Sequence, residues 1–256
     1  MIAEPAESLE ETFAMLKEIG FDGVELDSPS QINMTAARAA AEATGFFVDG
    51  TVDSRHWQVR LTDPDASVRA NARRDLITAI QDTHAAGGNS VLLVPGHGDD
   101  GPASVIRERA IEQIERALPV AARWGVHILI ENVWNNMFYD PEGPNTQTAA
   151  ELVRFVDEIN NPWLGVQFDV GNHVKYGNPA AWIQQLGKRV VKLDIKDWSA
   201  SKGFCRIGEG DVPWKAVRAA LEEIGYHGWA AAEVEGGNKE ALARVSREMD
   251  DVLRLG

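Results

Sequence analysis

The chain has 256 residues, of which 44% are hydrophobic and 25% charged, and its formal net charge is −14. This composition is typical of a globular protein with a sizeable core, and the length suits one α/β barrel. The acidic balance argues against nucleic acid and anionic membranes as partners, because phosphate groups attract clusters of Lys and Arg.

The sequence shows no sign of secretion or of a membrane span. Its one cysteine, Cys205, has no partner for an internal disulfide, which fits a reducing compartment. No apolar run approaches the ~20 residues of a membrane-spanning helix. The opening residues, MIAEPAESLE, lack the basic and apolar regions of a signal peptide. We therefore expect a cytoplasmic protein with no membrane partner.

Helical and extended segments alternate along the chain, with Gly at many of the junctions. Helices are predicted where apolar residues recur at helical spacing, and strands where short apolar or alternating runs occur. In chain order, the pattern predicts helix Ser8–Ile19, strand Asp22–Asp27, helix Ala36–Thr44, strand Phe46–Val52, helix Pro64–Ala86, strand Ser90–Pro95, helix Ser104–Trp124, strand Val126–Asn132, helix Thr148–Ile159, strand Leu164–Val170, helix Ala180–Leu186, strand Val190–Trp198, helix Val212–Ile224, strand Trp229–Glu235 and helix Lys239–Leu253.

Strands that alternate with helices of this size predict a parallel sheet with the helices outside it. The predicted strands number seven, and a (β/α)8 TIM barrel needs one more. The opening MIAEP stands directly before the first helix, where a first strand should end. We therefore expect an α/β barrel of the TIM type whose first strand is truncated to a stub, or a start codon assigned too late. No linker or repeat divides the chain, which predicts one domain over residues 1–256.

Four of the predicted strands carry a carboxylate near their ends: Glu131, Asp169, Asp194 and Glu233. Side chains alternate between the two faces of a strand, and these carboxylates lie opposite the more apolar face. Active sites of such barrels form where the strands end, so the four carboxylates are expected to converge on one mouth. They would repel one another without a cation, and hard divalent ions prefer oxygen ligands, so we expect a metal site.

The stretch VVKLDIKDW places Lys192, Asp194 and Lys196 on one face of a strand. Charges buried in a row need partners or a metal. One interpretation makes Asp194 a metal ligand that the two lysines flank as charge partners. The alternative is an interior salt-bridge network without metal. Asp197 faces the other way, and we expect it to cap a helix or to support the site from behind.

Several stretches together resemble the xylose isomerase-like TIM barrel family of sugar phosphate isomerases and epimerases, which includes ketose 3-epimerases. The matching stretches are distributed over most of the chain: FDGVELDSPS, ILIENVW, GVQFDVGN, VVKLDIKDW, RIGEGDVPW and WAAAEVEGG. By position, the resemblance implies that Glu131, Asp169, Asp194 and Glu233 are the ligands of one divalent ion.

This chain departs from the family at two positions. Asp194 stands where the relatives carry a His ligand, and Asn172 stands where they often carry another His, with His173 beside it. An aspartate makes the site harder and more negative than a histidine does, which favours Mn²⁺ or Mg²⁺ over Zn²⁺. Co²⁺ and Zn²⁺ remain compatible with the ligand set.

The resemblance implies a metal-dependent sugar isomerase or epimerase that acts on a ketose. A divalent ion would stabilise the enediolate left when a proton leaves the carbon beside the carbonyl. Epimerisation needs an acid/base group on each face of the sugar, and Glu131 and Glu233 are implied for these roles. An aldose–ketose isomerase, a keto-inositol-type dehydratase and a non-catalytic sugar-binding barrel are the alternatives. A DNA-repair endonuclease of this fold is disfavoured by the net charge and by a total of six histidines.

The expected substrate is a small sugar or polyol, contacted by residues in loops that follow the strands. Trp57 and Trp134 suit an apolar sugar face, and His56 and His97 suit hydroxyl groups. The complete set expected around the substrate is His56, Trp57, His97, Trp134, Asn172, His173, Lys196 and Arg206. Glu25 is a weaker candidate. No phosphate clamp stands out beyond Arg206, and the sequence leaves a homo-oligomer open.

Overall fold

The computed structural model describes residues 8–254. Its α-helices are α1 (Leu9–Glu18), α2 (Met34–Thr44), α3 (Ala66–Ala86), α4 (Ala103–Trp124), α5 (Ala150–Ile159), α6 (Pro179–Leu186), α7 (Trp214–Ile224) and α8 (Lys239–Leu253). Its strands are β1 (Gly23–Ser28), β2 (Phe47–Asp53), β3 (Ser90–Leu93), β4 (His127–Glu131), β5 (Leu164–Asp169), β6 (Val190–Ile195), β7 (Asp197–Ser199), β8 (Gly203–Cys205) and β9 (Ala230–Ala232).

Seven of these strands form one parallel sheet in the order β1-β2-β3-β4-β5-β6-β9. Each strand pairs with the next one in that order, and helices connect most of them, which is the winding of a nearly closed α/β barrel. The predicted barrel fold is therefore confirmed. The expected stub of a first strand falls on residues 1–7, which lie outside the described part of the chain.

Two predicted strands differ from the observed ones. The predicted strand Val190–Trp198 divides, because β6 ends at Ile195 and Asp197–Ser199 pairs instead with Gly203–Cys205 in an antiparallel hairpin. The last strand, β9, is confined to three alanines, which are weak strand formers. As a result, Glu233 directly follows β9 rather than lying inside it.

Local signals explain where several helices begin and end. The side chains of Asn33 and Asp65 accept hydrogen bonds from backbone N–H groups in the first turns of α2 and α3. Gly45 and Gly125 follow α2 and α4 with φ angles of 63° and 67°, a left-handed conformation that glycine adopts without steric cost. These signals place the start of the next strand, and with it the register of the sheet.

The apolar core lies between the outer face of the sheet and the helices. Ile128, Ile130 and Phe168 are completely buried there together with apolar residues of the surrounding helices. The inner face is different, because charged and amide side chains such as Lys192 and Gln167 are buried among the strands. Within residues 8–254, none of the helices combines the length and the hydropathy needed to cross a bilayer.

Candidate metal and active site

The four predicted carboxylates come together at the carboxyl end of the sheet. Glu131 ends β4, Asp169 ends β5, Asp194 lies on β6 beside Asp169, and Glu233 directly follows β9. One oxygen from each of the four lies within 4.8 Å of the oxygens from the other three. Three of the four side chains are buried, and Glu233 is partly buried. Parallel strands bring their ends to one edge, which is why residues so far apart in sequence meet.

The oxygens of this cluster have few donating or positive partners. Oδ2 of Asp194 is buried and accepts no hydrogen bond. Oδ2 of Asp169 and Oε2 of Glu233 share one partner, the ammonium of Lys196, which lies 3.2 Å from the former and 2.7 Å from the latter. Uncompensated carboxylate oxygens are costly to bury. Their number, hardness and spacing fit a divalent cation, which the four side chains could hold together.

The pKa values show that burial and mutual repulsion disfavour the charged forms of these carboxylates in the absence of further positive charge. Burial raises the pKa of Glu131 well above its ordinary value, and repulsion from Glu233, Asp194 and Asp169 raises it further. Burial likewise raises the pKa values of Asp169 and Asp194 well above normal. Burial also acts on Glu233, but hydrogen bonding with Asp169 and the charge of Lys196 prevail and lower its pKa. A bound cation would relieve this repulsion.

The loop after β5 fixes Asp169 and links it to its neighbours. Oδ1 of Asp169 accepts hydrogen bonds from the backbone N–H groups of Gly171 and Asn172, at 2.7 and 2.6 Å. The Asn172 amide donates to Oε1 of Glu131 at 3.2 Å and accepts from Lys196 at 3.1 Å. Asn172 therefore joins two cluster carboxylates and the lysine in one hydrogen-bonded unit, although it stands where relatives often carry His.

Asn132, which was not predicted as a site residue, holds β4 and β5 together at the site. Its Oδ1 accepts from the backbone N–H of Asp169 at 2.8 Å, and its Nδ2 donates to the carbonyl of Asp169 at 2.9 Å. The signal in the sequence is an amide directly after Glu131 in the stretch ILIEN, but pairing across strands cannot be read from one strand alone.

Lys192 forms its close ion pairs with carboxylates other than Asp194, although its charge also acts to lower the pKa of Asp194 against the larger effect of burial. Its ammonium lies 2.7 Å from Oε1 of Glu25 and contacts Oδ2 of Asp49. Burial would lower the pKa of Lys192, but these two carboxylates prevail and raise it. Burial raises the pKa of Asp49 to about 6, against the opposing charge of Lys192. The strand thus carries an ion network around Lys192 and a carboxylate cluster around Asp194, and Gln167 contacts both.

Lys196 lies at the cluster, but beside other carboxylates than Asp194, the partner that the sequence suggested. It bridges Asp169 and Glu233, and it also lies 5.0 Å from the ring centre of Phe204. Burial would lower its pKa, but the neighbouring carboxylates raise it, so the side chain carries a positive charge. One ammonium is available to four carboxyl groups, so ionising all four requires further positive charge.

A cavity of about 770 Å³ opens onto the cluster. Of the residues expected around the substrate, it is lined by His56, Trp57, Trp134, Asn172 and Lys196. Trp57 and Trp134 are 43% and 36% exposed, so their rings are available to a ligand. Trp134 stacks against Phe204 with 5.0 Å between ring centres, and Phe204 also lines the cavity. Phe204 was missed because the hairpin that carries it was not predicted.

Three predicted substrate contacts are not brought into this cavity. Arg206 turns outward and pairs with Glu248 and Glu209. His97 accepts a hydrogen bond from the backbone of the nearby Asp99 at 3.2 Å and does not line the cavity. His173 is completely buried under the site, where Nδ1 lies 3.2 Å from the amide of Asn132. In each case a partner contact that is invisible in sequence determines where the side chain points.

The other two acidic candidates lie on different sides of the site. Glu25 lines the cavity but is committed to Lys192. Asp197 is completely buried and accepts hydrogen bonds from the backbone of Gly208 at 2.9 Å and from the indole of Trp214 at 3.1 Å. It therefore organises the loop after the hairpin instead of capping a helix through its first-turn backbone.

Two further titratable groups line the cavity next to each other. Burial lowers the pKa of His56 to about 4, and Nδ1 accepts a hydrogen bond from the backbone of Val94 at 3.3 Å. His56 is therefore neutral, with its proton on Nε2. Burial raises the pKa of Asp53, at the end of β2, to about 7, against the opposing hydrogen bond from the backbone of Arg55.

Replacing Asp53 by Asn is expected to change the pH dependence of stability. The folded-state pKa of about 7 lies above the ordinary value of 3.8, so the folded protein holds this proton more tightly than the unfolded chain. The contribution of Asp53 to stability is complete below the ordinary pKa and is lost as the pH rises to about 7. Relative to the native protein, Asp53→Asn should gain up to about 4 kcal/mol over this range and nothing further above it.

Chemical denaturation of both proteins between about pH 5 and pH 8 checks this result. The buried histidines His56 and His173 titrate with the opposite sign, since burial lowers their pKa values, but they are common to both proteins and cancel in the difference. A difference in stability that does not change with pH would show that Asp53 is ionised throughout.

The fold and the site are those of an α/β barrel with a cluster of carboxylates at the carboxyl end of its strands. A comparison with protein families places the sequence in such a class. Residues 13–254 match the family described as xylose isomerase-like TIM barrel, so the chain belongs to that family. The predicted resemblance is confirmed.

Two curated relatives are named as sugar epimerases, the kind of enzyme that the sequence led us to expect. The chain is 25% identical over 255 residues to D-psicose 3-epimerase of Ruminiclostridium cellulolyticum, covering 91% of this chain and 82% of that protein. It is 27% identical over 195 residues to D-psicose 3-epimerase of Enterocloster bolteae, covering 73% of this chain and 62% of that protein.

An uncharacterized protein of Methanocaldococcus jannaschii is 28% identical over 137 residues, covering 51% of this chain and 44% of that protein. The chain thus spans less than two thirds of this protein and of the E. bolteae enzyme.

Solved structures share the fold at low sequence identity. The 3-keto-D-glucoside 4-epimerase of E. coli superposes with a TM-score of 0.80 at 18% identity, covering 99% of this chain and 98% of the other. The IOLI protein, solved with a bound zinc atom, superposes with a TM-score of 0.79 at 16% identity, covering 96% and 93%.

Proposed function

We propose that this protein is a divalent-metal-dependent isomerase or epimerase of a ketose, acting by proton transfer through an enediolate. The observation that carries the proposal is the cluster of Glu131, Asp169, Asp194 and Glu233, which each offer one oxygen within 4.8 Å of the others. Three of these residues, Glu131, Asp194 and Glu233, line the cavity. Membership of a family whose named relatives are sugar epimerases supports it.

The four clustered carboxylates would hold one divalent ion. The ion would supply Lewis-acid chemistry, polarising the carbonyl and the neighbouring hydroxyl of the sugar. An all-oxygen ligand set favours Mn²⁺ or Mg²⁺ over Zn²⁺. Oδ2 of Asp194, which is buried and accepts no hydrogen bond, supports this ligand set.

Glu131 and Glu233 would exchange the proton with carbon. They approach from strands β4 and β9, which lie on different sides of β5 and β6 in the sheet, so that they can flank a sugar from two directions. Asn172 holds Oε1 of Glu131, and Lys196 holds Oε2 of Glu233, so both carboxylates are oriented. General acid–base groups placed in this way contribute about 10²–10⁴-fold to the rate.

The cavity walls suit a small sugar or polyol. Trp57 and Trp134 offer exposed aromatic faces, and the neutral His56 offers an N–H group. Aromatic rings contact the C–H faces of sugars, while the polar groups fix the hydroxyls. Arg206, the one residue that suggested a phosphate clamp, is paired with Glu248, so we propose an unphosphorylated substrate.

The test is isotope exchange on the native protein. A panel of free ketoses is incubated in heavy water with the Mn²⁺-loaded protein and with the same protein stripped by a chelator, and proton NMR follows loss of the signal beside the carbonyl. We expect exchange with the loaded protein only, accompanied by a 3-epimer for an epimerase.

The products of the same experiment separate the alternatives. An aldose indicates an aldose–ketose isomerase, and a dehydrated ketone indicates a dehydratase. Metal binding without exchange on any ketose would contradict the proposal and leave a sugar-binding barrel.

A further inference from the structure

Gln167 is a buried amide on the inner face of β5 that the proposed chemistry does not use. It has no exposed surface, and its Nε2 donates to Oδ1 of Asp194 at 2.9 Å. In the register of the sheet it lies beside both Glu131 on β4 and Lys192 on β6. The amide therefore contacts the carboxylate cluster through Asp194 and lies beside Glu131 in the sheet.

An aspartate in place of a histidine ligand creates a problem of orientation. An imidazole presents one nitrogen to a metal, whereas a carboxylate has two equivalent oxygens and can bind through either or both. In this protein Oδ1 of Asp194 is occupied by Gln167, and Oδ2 is buried with no hydrogen-bond donor. Only one oxygen of Asp194 is thus left for an ion.

The orientation of the Gln167 amide is itself determined by its surroundings. Both carboxylate oxygens of Glu25 lie 3.4 Å from Nε2, so the nitrogen end of the amide faces acceptors. Glu25 is held in turn by Lys192, which also contacts Asp49. This chain of contacts joins β1, β2, β5 and β6 across the barrel interior. A flipped amide would turn its oxygen toward three carboxylate oxygens.

We propose that Gln167 is a positioning residue that makes Asp194 a fixed, single-oxygen metal ligand, with the Glu25–Lys192–Asp49 network holding Gln167 in place. The inference rests on the proposed metal site. The hydrogen bond to Oδ1 leaves Oδ2 as the oxygen of Asp194 that no protein donor contacts, so Asp194 would bind an ion through one defined atom, as an imidazole does.

The test is a double-mutant cycle read by metal affinity rather than by activity. Gln167→Met keeps a similar volume and removes the donor, so Mn²⁺ affinity should fall by about 10-fold or more, as is typical when a partner behind a metal ligand is lost. Asp194→His installs a ligand that does not need Gln167. In that background the same Gln167→Met change should cost less than about 3-fold.

Titration calorimetry measures the affinities, with Zn²⁺ replacing Mn²⁺ for the pair of Asp194→His proteins if the latter ion no longer binds. Thermal unfolding of each metal-free protein verifies the fold. Gln113→Met is the matched control, because Gln113 is a buried amide on α4, outside the barrel interior. It should leave the affinity unchanged.

The outcomes separate this inference from the proposed function. A native protein that binds no divalent ion overturns both. A native protein that binds Mn²⁺, with Gln167→Met binding equally well, overturns only the role of Gln167. Equal losses from Gln167→Met in the native and the Asp194→His backgrounds also overturn it, because they would reflect a general disturbance of the barrel. If the Asp194→His protein binds neither Mn²⁺ nor Zn²⁺, the Mn²⁺ affinity of Gln167→Met relative to the native protein alone tests the role of Gln167.

Discussion

Replacing Glu131 by Gln is expected to abolish exchange of the carbon-bound proton of the substrate with solvent while leaving the fold intact. Glu131 is buried at the end of β4, and its Oε1 accepts a hydrogen bond from Asn172. A glutamine oxygen can accept the same bond, but the amide cannot take up or release a proton at the pH of the assay. The rate should therefore fall by about 10²–10⁴-fold.

The measurement is the initial rate of deuterium incorporation in heavy water at saturating Mn²⁺, so that a weaker affinity for the ion does not imitate a lost acid/base group. Glu115→Gln is the matched control, because Glu115 is an exposed residue on α4. Its rate should equal that of the native protein. Undiminished exchange in Glu131→Gln would remove Glu131 from the role.

Asp169→Asn is expected to remove the bound metal. In the native site, Oδ1 of Asp169 accepts two backbone hydrogen bonds, from Gly171 and Asn172, and Oδ2 faces Lys196 and the cluster. An asparagine can keep the backbone bonds through its oxygen, which places its NH2 group where Oδ2 stood. Because an NH2 group repels a cation and a positive ammonium alike, affinity should fall by more than the ~10–100-fold typical of partners behind a ligand.

Elemental analysis after loading with Mn²⁺ and washing measures this directly. About one equivalent per chain is expected in the native protein, as for a single four-carboxylate site, and almost none in Asp169→Asn. Asp157→Asn is a suitable control, because Asp157 pairs with Arg189 on the surface, away from the cluster. Equal metal content in the native protein and in Asp169→Asn would mean that the ion sits elsewhere.

Much of the fold could be predicted because short-range signals determine it. Glycines such as Gly45 and Gly125 end helices in the left-handed conformation, and runs such as Ile128–Ile130 mark strands buried against helices. The hairpin of β7 and β8 was missed because it continues directly from β6. Only the pairing of Asp197–Ser199 with Gly203–Cys205 divides the two, and that pairing is not visible as a break in hydrophobic pattern.

The carboxylate cluster could be predicted because strand alternation and strand ends are both readable from sequence. The partners of each side chain could not. Lys192 lies two residues from Asp194, yet it pairs with Glu25 and Asp49 from strands at the far end of the chain. Arg206 likewise reaches Glu248 on α8 instead of the cavity. A long side chain can reach several oppositely charged neighbours, and the three-dimensional arrangement determines which of them it contacts.

Almost every polar residue from β6 into the hairpin makes a different contact. Lys192 joins the interior network, Asp194 belongs to the cluster, Lys196 bridges Asp169 and Glu233, and Asp197 holds the following loop. Because each successive residue of a strand points to the opposite face, a shift of one position would exchange the two faces. A single-residue insertion within β6 would therefore turn the side chains on one side of the insertion to the opposite face and break their contacts.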